Sequence, residues 1–332
     1  MLLLHPDCSI KDEGERFIIE DRVIKLTYTG ESATLCRQAL PLLPSARDID
    51  DIVGGTSYSM ASLKQLVAGL ESEGLALDLS HVEELDDNLL IEKIRTASRF
   101  WNQHIMGQVF PSRLFEGHAT RPEVLGWGIE FYFFIRAANE YMARGVARDD
   151  APTEVLAEVW KHYVEESGHE EIFLTGLLGC GLRRQEIVDR MPLPSTMALT
   201  NFLYEKACST IFDYLSVFAL MQPLATPPSR SDISQRYDAL RSWYPFASPL
   251  FNAFEQHDTI DADLAHAKLA IAPAIIWRSP ASKHERLAIF QTIRETAEHF
   301  ILFFEGIPRY YKNERFLNYR QRPTAINASF VS

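Results

Sequence analysis

Residues 1–80 alternate between short strand-like and helix-like segments. The run FIIEDRVIKLTYTG, residues 17–30, is rich in β-branched residues and predicts a hairpin or paired strands. Three short helices are predicted after it: SATLCRQALPLL, then ARDIDDIVGG with Ser45 as its N-cap, then a helix capped by Ser59. The segment LALDLS, residues 75–80, is predicted to form a further strand. This pattern predicts a small α+β, winged-helix-like domain.

Residues 81–332 show helical periodicity throughout, with Pro and Gly between the periodic segments. The predicted helices cover 82–108, about 122–145, 152–178, 195–222, 233–243, 247–275 and 280–305. No strand-like alternation of any length interrupts them. The predicted fold is therefore mainly α, a bundle of about seven helices that follows the α+β domain.

Composition excludes several functions. The chain has 33 basic and 45 acidic residues, a net charge of −12, and an acidic protein is poorly suited to binding nucleic acid or an anionic membrane. Residues 1–80 alone carry a net charge of −6, so the winged-helix-like domain is not expected to bind DNA. The four cysteines have no metal-knuckle or disulfide-framework spacing. Without a secretion signal or an apolar run long enough for a membrane span, we expect a cytoplasmic protein.

Phosphate-binding glycine motifs, GxSxG and HExxH are absent from the sequence. What remains is a set of His and carboxylate residues on apolar helix faces. In HYVEESGHEEIF, His162, Glu166 and His169 are spaced to share one face. An ExxH pair in a bundle lets two side chains of one helix reach the same metal. The alternative is a solvated charged stripe, because further glutamates are adjacent.

Glu205 lies in TNFLYEKACSTIFDY, where its helical neighbours are Phe202, Cys208 and Phe212. A carboxylate on so apolar a face is costly to bury unless it is paired or bound to a metal. Glu205 is therefore predicted to be a buried metal ligand. The alternative is a salt bridge to an Arg of the core.

In FNAFEQHDTIDADLAHAKLA, His257 and Asp261 are four residues apart on an apolar face. His266 follows five residues later, which rotates it by about 140° on a regular helix. A π-bulge would restore a common face. Otherwise His266 faces elsewhere and pairs with Asp263 at the surface.

These residues give three carboxylates and three imidazoles from three helices: Glu166, His169, Glu205, His257, Asp261 and His266. Oxygen and nitrogen donors without thiolate suit iron or manganese better than a structural zinc. The sequence therefore predicts a metal centre inside the bundle.

The order of these motifs resembles the haem-oxygenase-like diiron oxidases and oxygenases. GHEEIFLTGLLGCGLRRQEI and PLPSTMALTNFLYE, which flank the first two motifs, support the resemblance, which covers roughly residues 90–310. The third motif of that family usually reads His-x3-Asp-x2-His. Here residue 264 is Leu and the following histidine is His266, which puts the second metal position in doubt.

The resemblance implies two ferrous ions that react with dioxygen to oxidise an amino-acid-like substrate, and the departure at residues 264 and 266 implies that the second ion is bound weakly. Outcomes known in the family include N-oxygenation, desaturation, C–C cleavage and decarboxylation. All six residues would be metal ligands, and His162 would orient Glu166. Glu130, in WGIEFYFF, would line the pocket or add a ligand, unless it pairs with Arg136 or another Arg of the bundle. Phe212 is a further pocket candidate, and related bundles imply a homodimer.

The segment LPLLPSARDIDDIVGGTSYSMASLKQLVAGLESEGLALDLS, residues 40–80, is similar to the leader-peptide recognition domains of enzymes that modify ribosomal peptides. In those domains a peptide adds as a strand to the edge of a sheet. The resemblance implies that the substrate residue belongs to a docked precursor peptide.

Two other functions stay open. Thiaminase II-like hydrolases and cofactor-free quinone-forming oxidases share the helical architecture without a metal. A hydrolase of this kind needs a nucleophilic Cys, for which Cys208 is the candidate, although a core Cys is more common. The third possibility is a binding protein, in which the winged-helix-like domain captures a peptide and the bundle is a scaffold without catalysis.

Overall fold

The computed structural model describes residues 2–6, 8–20, 24–43, 46, 48–221, 228–264, 270–278 and 281–313. Helices dominate, and the strands of these ranges lie in the N-terminal part. This confirms the predicted fold class, a helical bundle preceded by a small α+β region. Within the described ranges, no helix combines the length and apolarity that crossing a membrane requires.

The described residues of the N-terminal part form two antiparallel sheets and three helices. Strand β1 (Leu2–Leu4) pairs with β5 (Ala76–Asp78), and β2 (Ser9–Asp12), β3 (Arg16–Glu20) and β4 (Lys25–Thr29) form a sheet in the order β2-β3-β4. The predicted hairpin is β3–β4, in which Phe17 lies opposite Tyr28. The helices are α1 (Gly30–Ala39), α2 (Ile49–Val53) and α3 (Met60–Ser72). Apolar side chains from these elements share one core that extends from Leu2 to Ala76.

Two predicted helix caps can be compared with the structure. The Ser59 hydroxyl accepts a hydrogen bond from the Ser62 amide at 3.2 Å, which confirms the predicted start of α3. Helix α2 is capped by Asp48, whose carboxylate accepts from the Asp51 amide at 3.0 Å. The prediction of Ser45 as its cap was wrong, because α2 starts at Ile49, directly after Asp48. Ser45 itself lies outside the described residues.

The helices after residue 80 are α4 (Asp87–Met106), α5 (Val109–Phe115), α6 (Arg121–Val146), α7 (Thr153–Glu166), α8 (Glu170–Gly179), α9 (Arg184–Val188), α10 (Pro194–Cys208), α11 (Ile211–Met221), α12 (Arg230–Trp243), α13 (Ser248–Asp263), α14 (Ala272–Arg278) and α15 (Lys283–Tyr310). Three predicted helices are divided. The segment 152–178 breaks at Gly168, whose φ is +90°, and 195–222 breaks at Ser209, whose ψ is −149°. In the segment 247–275, α13 ends at Asp263 and α14 begins at Ala272, and residues 265–269 between them lie outside the described residues.

The described residues form two compact units. The first takes in those of 1–108, 210–225 and 267–297, and the second those of 109–209, 226–266 and 298–332. The domain boundary predicted between residues 80 and 81 stays a prediction. The candidate metal ligands that the structure describes all belong to the second unit.

Helix α6 is central to the second unit, where it packs against α7, α8 and α10. A capping box starts it: the Thr120 hydroxyl and amide both donate to Glu123, at 2.8 and 2.7 Å. Helix α13 packs against α8 and α12. The contact between α8 and α13 is unusually close at Gly176, where an added Cβ would lie 2.8 Å from the Ala253 Cβ and 3.0 Å from the Leu250 Cα. Helices α8 and α13 are thus held at a short separation.

Candidate metal centre

Glu166 and His169 meet across a break between two helices. Glu166 is the last residue of α7, and His169 precedes α8. Gly168 adopts a φ of +90°, which costs an L residue energy and glycine little. Its amide donates to the Asn139 side chain of α6 at 3.3 Å, which anchors the break. The break leaves Nδ1 of His169 3.1 Å from Oε2 of Glu166, so the two predicted ligands are adjacent, although one regular helix was expected.

His257 and Asp261 lie one turn apart on α13, as their spacing predicted. Nδ1 of His257 is 3.2 Å from Oδ2 of Asp261. The His257 ring is buried and lies 5.2 Å from the ring of Phe173, measured between centroids. Because α13 is regular over this turn, the i, i+4 spacing alone brings the two side chains together.

The two pairs form one group. Nε2 of His257 lies 3.8 Å from Oε2 of Glu166, and the ring centroids of His169 and His257 are 5.0 Å apart. Each of Glu166, His169, His257 and Asp261 offers one ligand atom, and these four atoms lie within 4.8 Å of one another. Two imidazoles and two carboxylates give nitrogen and oxygen donors, a set that suits iron or manganese.

The charges of the group favour a cation. Burial opposes protonation of His257, but the carboxylates of Glu166 and Asp261 outweigh burial and raise the pKa of His257 above its ordinary value. Nε2 of His257 is buried and makes no hydrogen bond. A buried polar atom without a hydrogen bond is uncommon. A metal ion bound between the carboxylates would both use this nitrogen and replace the proton.

Aromatic side chains pack on one side of the group. Phe254 lies one turn before His257 and stacks on Trp127 at 4.3 Å. Phe173 contacts Phe254 and His257, and Phe131 packs against both phenylalanines. This apolar wall excludes water from the buried face of His257, which strengthens electrostatic interactions there.

Asp258, the residue after His257, was not predicted as part of the site. Its carboxylate accepts a hydrogen bond from the Tyr237 hydroxyl at 2.7 Å and another from Arg236 at 3.3 Å. Burial raises the pKa of Asp258, and the hydrogen bond from Tyr237 opposes this rise. These contacts fasten α13 to α12 beside the candidate ligands. A pattern search for pairs of His and carboxylate residues could not have found Tyr237.

His162 lies near Glu166 but does not orient it by a direct hydrogen bond. Nε2 of His162 is 3.6 Å from Oε1 of Glu166, longer than a hydrogen bond. The expected hydrogen bond is therefore wrong in this structure, although the imidazole still lies next to the carboxylate.

Glu205 is exposed, so the prediction that it is buried was wrong. The group of four that the described residues form does not include it. The prediction treated Phe212 as part of the same helix face, but α10 ends at Cys208 and α11 begins at Ile211. Phe212 is buried in the first unit.

His266 lies outside the described residues, so its role stays a prediction. The alternative partner proposed for it, Asp263, is exposed and forms an ion pair with Arg230 at 2.6 Å. Leu264, at the position where the resembled family has a histidine, is the last described residue of this segment.

Glu130 is fully buried, and both its oxygens are occupied. Oε2 accepts from the Leu193 amide at 2.8 Å and from the Thr196 hydroxyl at 2.6 Å. Oε1 accepts from the Tyr311 hydroxyl at 2.6 Å, and the positive charge of Arg190 acts on the same carboxylate. Glu130 therefore joins α6, α10 and the end of α15. The expectation that it lines a pocket or adds a metal ligand finds no support. Of the alternative partners, Arg136 or another Arg of the bundle, the one whose charge acts on Glu130 is Arg190.

The four cysteines are spread over the chain and none belongs to the group of four. Cys208 is exposed at the end of α10, where its sulfur accepts a hydrogen bond from Nε of Arg144 at 3.4 Å. Burial raises the pKa of Cys36 to about 12. A buried thiol of this kind is a poor nucleophile.

No protein-family model and no curated protein matches the sequence. Among solved structures, the chain is similar to a domain of unknown function from Shewanella denitrificans described as having a haem-oxygenase-like fold. The TM-score is 0.54 at 20% identity, over 69% of this chain and 94% of that one. The fold is haem-oxygenase-like. A TenA homologue from Pseudomonas syringae is also similar, with a TM-score of 0.51 at 10% identity over 70% of this chain and 97% of that one.

Proposed function

We propose that this protein is a non-haem iron-dependent oxygenase or oxidase that uses dioxygen to oxidise an amino acid or a residue of a peptide. The proposal rests on the partly buried group of two imidazoles and two carboxylates, whose ligand atoms lie within 4.8 Å of one another. Two histidines and a carboxylate are the donor set of mononuclear non-haem iron oxygenases. The haem-oxygenase-like fold is compatible with such an enzyme.

Each residue has a role that its contacts support. Glu166, His169, His257 and Asp261 would hold the iron, which when bound supplies the means to activate dioxygen. The carboxylate of Asp261 orients the His257 ring through Nδ1, so that Nε2 faces Glu166. Glu205 and His266 stay predicted ligands.

Iron binding tests the proposal through a matched pair of variants. Asp261→Asn weakens a candidate ligand, whereas Asp263→Asn makes the same change two residues away at an exposed ion pair. After anaerobic loading with ferrous iron and dialysis, we expect wild-type protein and Asp263→Asn to retain iron and consume dioxygen. Asp261→Asn should bind iron at least about 10-fold more weakly. Equal iron retention by both variants would remove the basis of the proposal.

A metal-independent enzyme is the second candidate, favoured by the similarity to a TenA homologue. Cys208 is the cysteine that the sequence offered for such a hydrolase. Its sulfur lies at the exposed end of α10, beside Arg144. Turnover of a substrate by protein treated exhaustively with a chelator, and its loss in Cys208→Ser, would favour this candidate over iron chemistry.

We also propose that the N-terminal part docks a peptide. The support is a groove of about 410 Å³ between α1 and α3, lined by Tyr28, Glu31, Ser32, Leu35, Tyr58, Ser62, Gln65, Leu66 and Gly69. Strand β4, which contributes Tyr28, is an edge strand of the described sheet, and edge strands can pair with an extended peptide. Residues 1–80 carry a net charge of −6, so we expect the peptide to be basic.

This docking can be tested by selecting a displayed library of random peptides for binding to the immobilised full-length protein. Gly69 lines the groove, and an added Cβ there would meet no atom within 4 Å, so Gly69→Trp is designed to place a ring in the groove. Ala68→Trp adds the same ring at an exposed neighbouring position. We expect enriched peptides to be basic and to lose binding to Gly69→Trp alone. Acidic peptides, or peptides that bind both variants equally, would contradict the proposal, and peptide binding without any oxidation would favour a scaffold.

A further inference from the structure

Two charged side chains near the break between α7 and α8 have buried atoms that make no hydrogen bond. These atoms are Nη1 of Arg136, on α6, and Oε2 of Glu170, the first residue of α8. The two atoms therefore do not pair with each other. Each residue is only half-buried as a whole, so each side chain also has a part that solvent reaches.

Both residues belong to the surroundings of the candidate metal centre. Glu170 directly follows His169 in the sequence and comes two residues after Gly168. Arg136 precedes Asn139 by about one turn of α6, and the Asn139 side chain accepts a hydrogen bond from the Gly168 amide at 3.3 Å. Helix α6 packs against α8. An arginine and a glutamate thus lie on two packed helices, next to a candidate metal ligand.

Tyr132, one turn before Arg136 on α6, is within electrostatic range of both charges. Burial raises the pKa of Tyr132, the positive charge of Arg136 opposes this rise, and the negative charges of Glu171 and Glu170 add to it. Glu171 is exposed and pairs with Arg184 at 3.2 Å. Of these two carboxylates, Glu170 is the one with a buried oxygen that makes no hydrogen bond.

Unpaired buried charges are costly to a folded protein. Buried polar atoms are nearly always hydrogen-bonded, and the cost of leaving one unpaired is larger for a charged group. A molecule that carries a carboxylate and an N–H side by side would satisfy both atoms at once. A guanidinium binds a carboxylate through two parallel hydrogen bonds, and a glutamate carboxylate accepts from an ammonium or an amide N–H.

From this arrangement we infer that Arg136 and Glu170 bind the carboxylate and the adjacent N–H of an α-amino acid. The inference rests on the proposed function, whose substrate it specifies. A free amino acid and the C-terminal residue of a peptide share this chemistry. Because Glu170 adjoins His169, a head group bound there would hold the rest of the substrate close to the metal centre.

Thermal unfolding distinguishes this binding site from a structural ion pair. Removing one partner of a buried ion pair leaves the other charge unpaired and is strongly destabilising. Nη1 of Arg136 and Oε2 of Glu170 are already unpaired. We therefore expect Glu170→Gln to keep or raise the melting temperature of the protein without ligand. A large decrease, as for a broken ion pair, would overturn the inference.

Ligand binding is measured on the metal-free full-length protein, so that the result does not depend on iron. Each standard L-amino acid and its N-acetyl derivative is added at millimolar concentration, and stabilisation is followed by differential scanning fluorimetry. We expect at least one compound to raise the melting temperature, and the same compound with its carboxylate converted to an amide to have no effect. Stabilisation by the free form alone identifies a free amino acid as the substrate, and stabilisation by the acetylated form identifies the end of a peptide.

Matched variants locate the binding site. Arg136→Lys loses the bidentate contact with a carboxylate, and Glu170→Gln loses the charge that strengthens the contact with the nitrogen. Each should weaken binding about 10-fold. The controls are Arg144→Lys, at an exposed position of the same helix, and Glu171→Gln, at an exposed ion pair, and both should bind as the wild type does. Iron retention should be unchanged in all four variants, because none of these residues belongs to the group of four.

The inference is wrong if an amino acid and its amide stabilise equally, if the site variants bind as well as their controls, or if none of the compounds binds. Loss of iron from Glu170→Gln would make Glu170 a metal ligand instead and would also overturn it. A protein that retains iron but fails these binding tests leaves the proposed iron enzyme standing. Amino-acid binding by a protein that retains no iron removes the proposed iron chemistry alone.

Discussion

The contact between α8 and α13 at Gly176 predicts a large effect of a single methyl group. In Gly176→Ala the new Cβ would lie 2.8 Å from the Ala253 Cβ and 3.0 Å from both the Leu250 Cα and the Pro249 carbonyl oxygen. Two of these three atoms, the Leu250 Cα and the Pro249 carbonyl oxygen, belong to the backbone of α13 and cannot rotate away. The helices must therefore separate by roughly 0.5 Å to restore ordinary van der Waals contact.

Separation has two consequences that can be measured separately. Overpacking of this kind costs about 1–3 kcal/mol of unfolding free energy, which lowers the melting temperature by about 2–4 °C for each kcal/mol. It also displaces His169, at the start of α8, from His257 on α13. Metal sites tolerate only about ±0.2 Å in ligand distance, so metal affinity should fall as well.

Calorimetry of the metal-free and the metal-loaded protein distinguishes the two effects. A metal that binds only the folded state stabilises it by about 2.7 kcal/mol at a concentration 100 times its Kd, and each tenfold loss of affinity removes about 1.4 kcal/mol. We expect Gly176→Ala to lower the melting temperature of the metal-free protein and also to reduce the increase that metal produces.

Gly69→Ala is the matched control for this experiment. Gly69 lies inside α3, and an added Cβ there would meet no atom within 4 Å. Replacing a helical glycine by alanine in open space stabilises by about 0.4–1 kcal/mol. If Gly176→Ala behaved like Gly69→Ala, with unchanged metal stabilisation, the close helix contact would have no role in aligning the ligands.

Three further predictions concern single residues. Gly168 and Gly181 have φ values of +90° and +89°, with open space around an added Cβ. Gly168→Ala and Gly181→Ala should therefore each lose about 1–2 kcal/mol of stability. Gly168→Ala alone should also weaken metal binding, and equal metal affinities of the two variants would refute this. Tyr237→Phe should cost about 1–3 kcal/mol in urea unfolding, because half-buried Asp258 loses a hydrogen bond. An unchanged midpoint would mean that this contact does not stabilise α13. Burial raises the pKa of Glu130 above its ordinary value of 4.5, so the folded state binds the carboxyl proton more tightly than the unfolded state does. The stability of the wild-type protein should therefore fall as the pH rises above 4.5. Glu130→Gln should lack this part of the pH dependence, and parallel stability curves from pH 4 to 8 would contradict the expectation.

Periodicity predicted those parts of the site that lie on a regular helix. His257 and Asp261 are four residues apart on α13, which stays regular over that turn, so their sequence spacing determined their contact. The helix capped by Ser59 was predictable for the same reason, because its apolar positions, Leu63 among them, repeat without interruption.

Periodicity failed where a helix ended unnoticed. The predicted burial of Glu205 depended on Phe212 sharing its face, and the break at Ser209 removes that relation. Gly168 also interrupts the helix between Glu166 and His169, yet the two side chains still meet because the turn folds them toward each other. A glycine that breaks a helix can be recognised in the sequence, but the direction in which the chain then turns depends on tertiary contacts such as that of Asn139.

Tyr311, which immediately follows α15, limits how far the chain can be trimmed from its C-terminal end. Its ring covers Gly126, and its hydroxyl donates to buried Glu130. Proteolysis or truncation before Tyr311 would remove a buried aromatic ring, which costs about 3–5 kcal/mol of unfolding free energy. It would also remove a hydrogen-bond donor from the buried carboxyl group of Glu130. Since whole domains are stable by only about 5–15 kcal/mol, an affinity tag or cleavage site belongs after this residue.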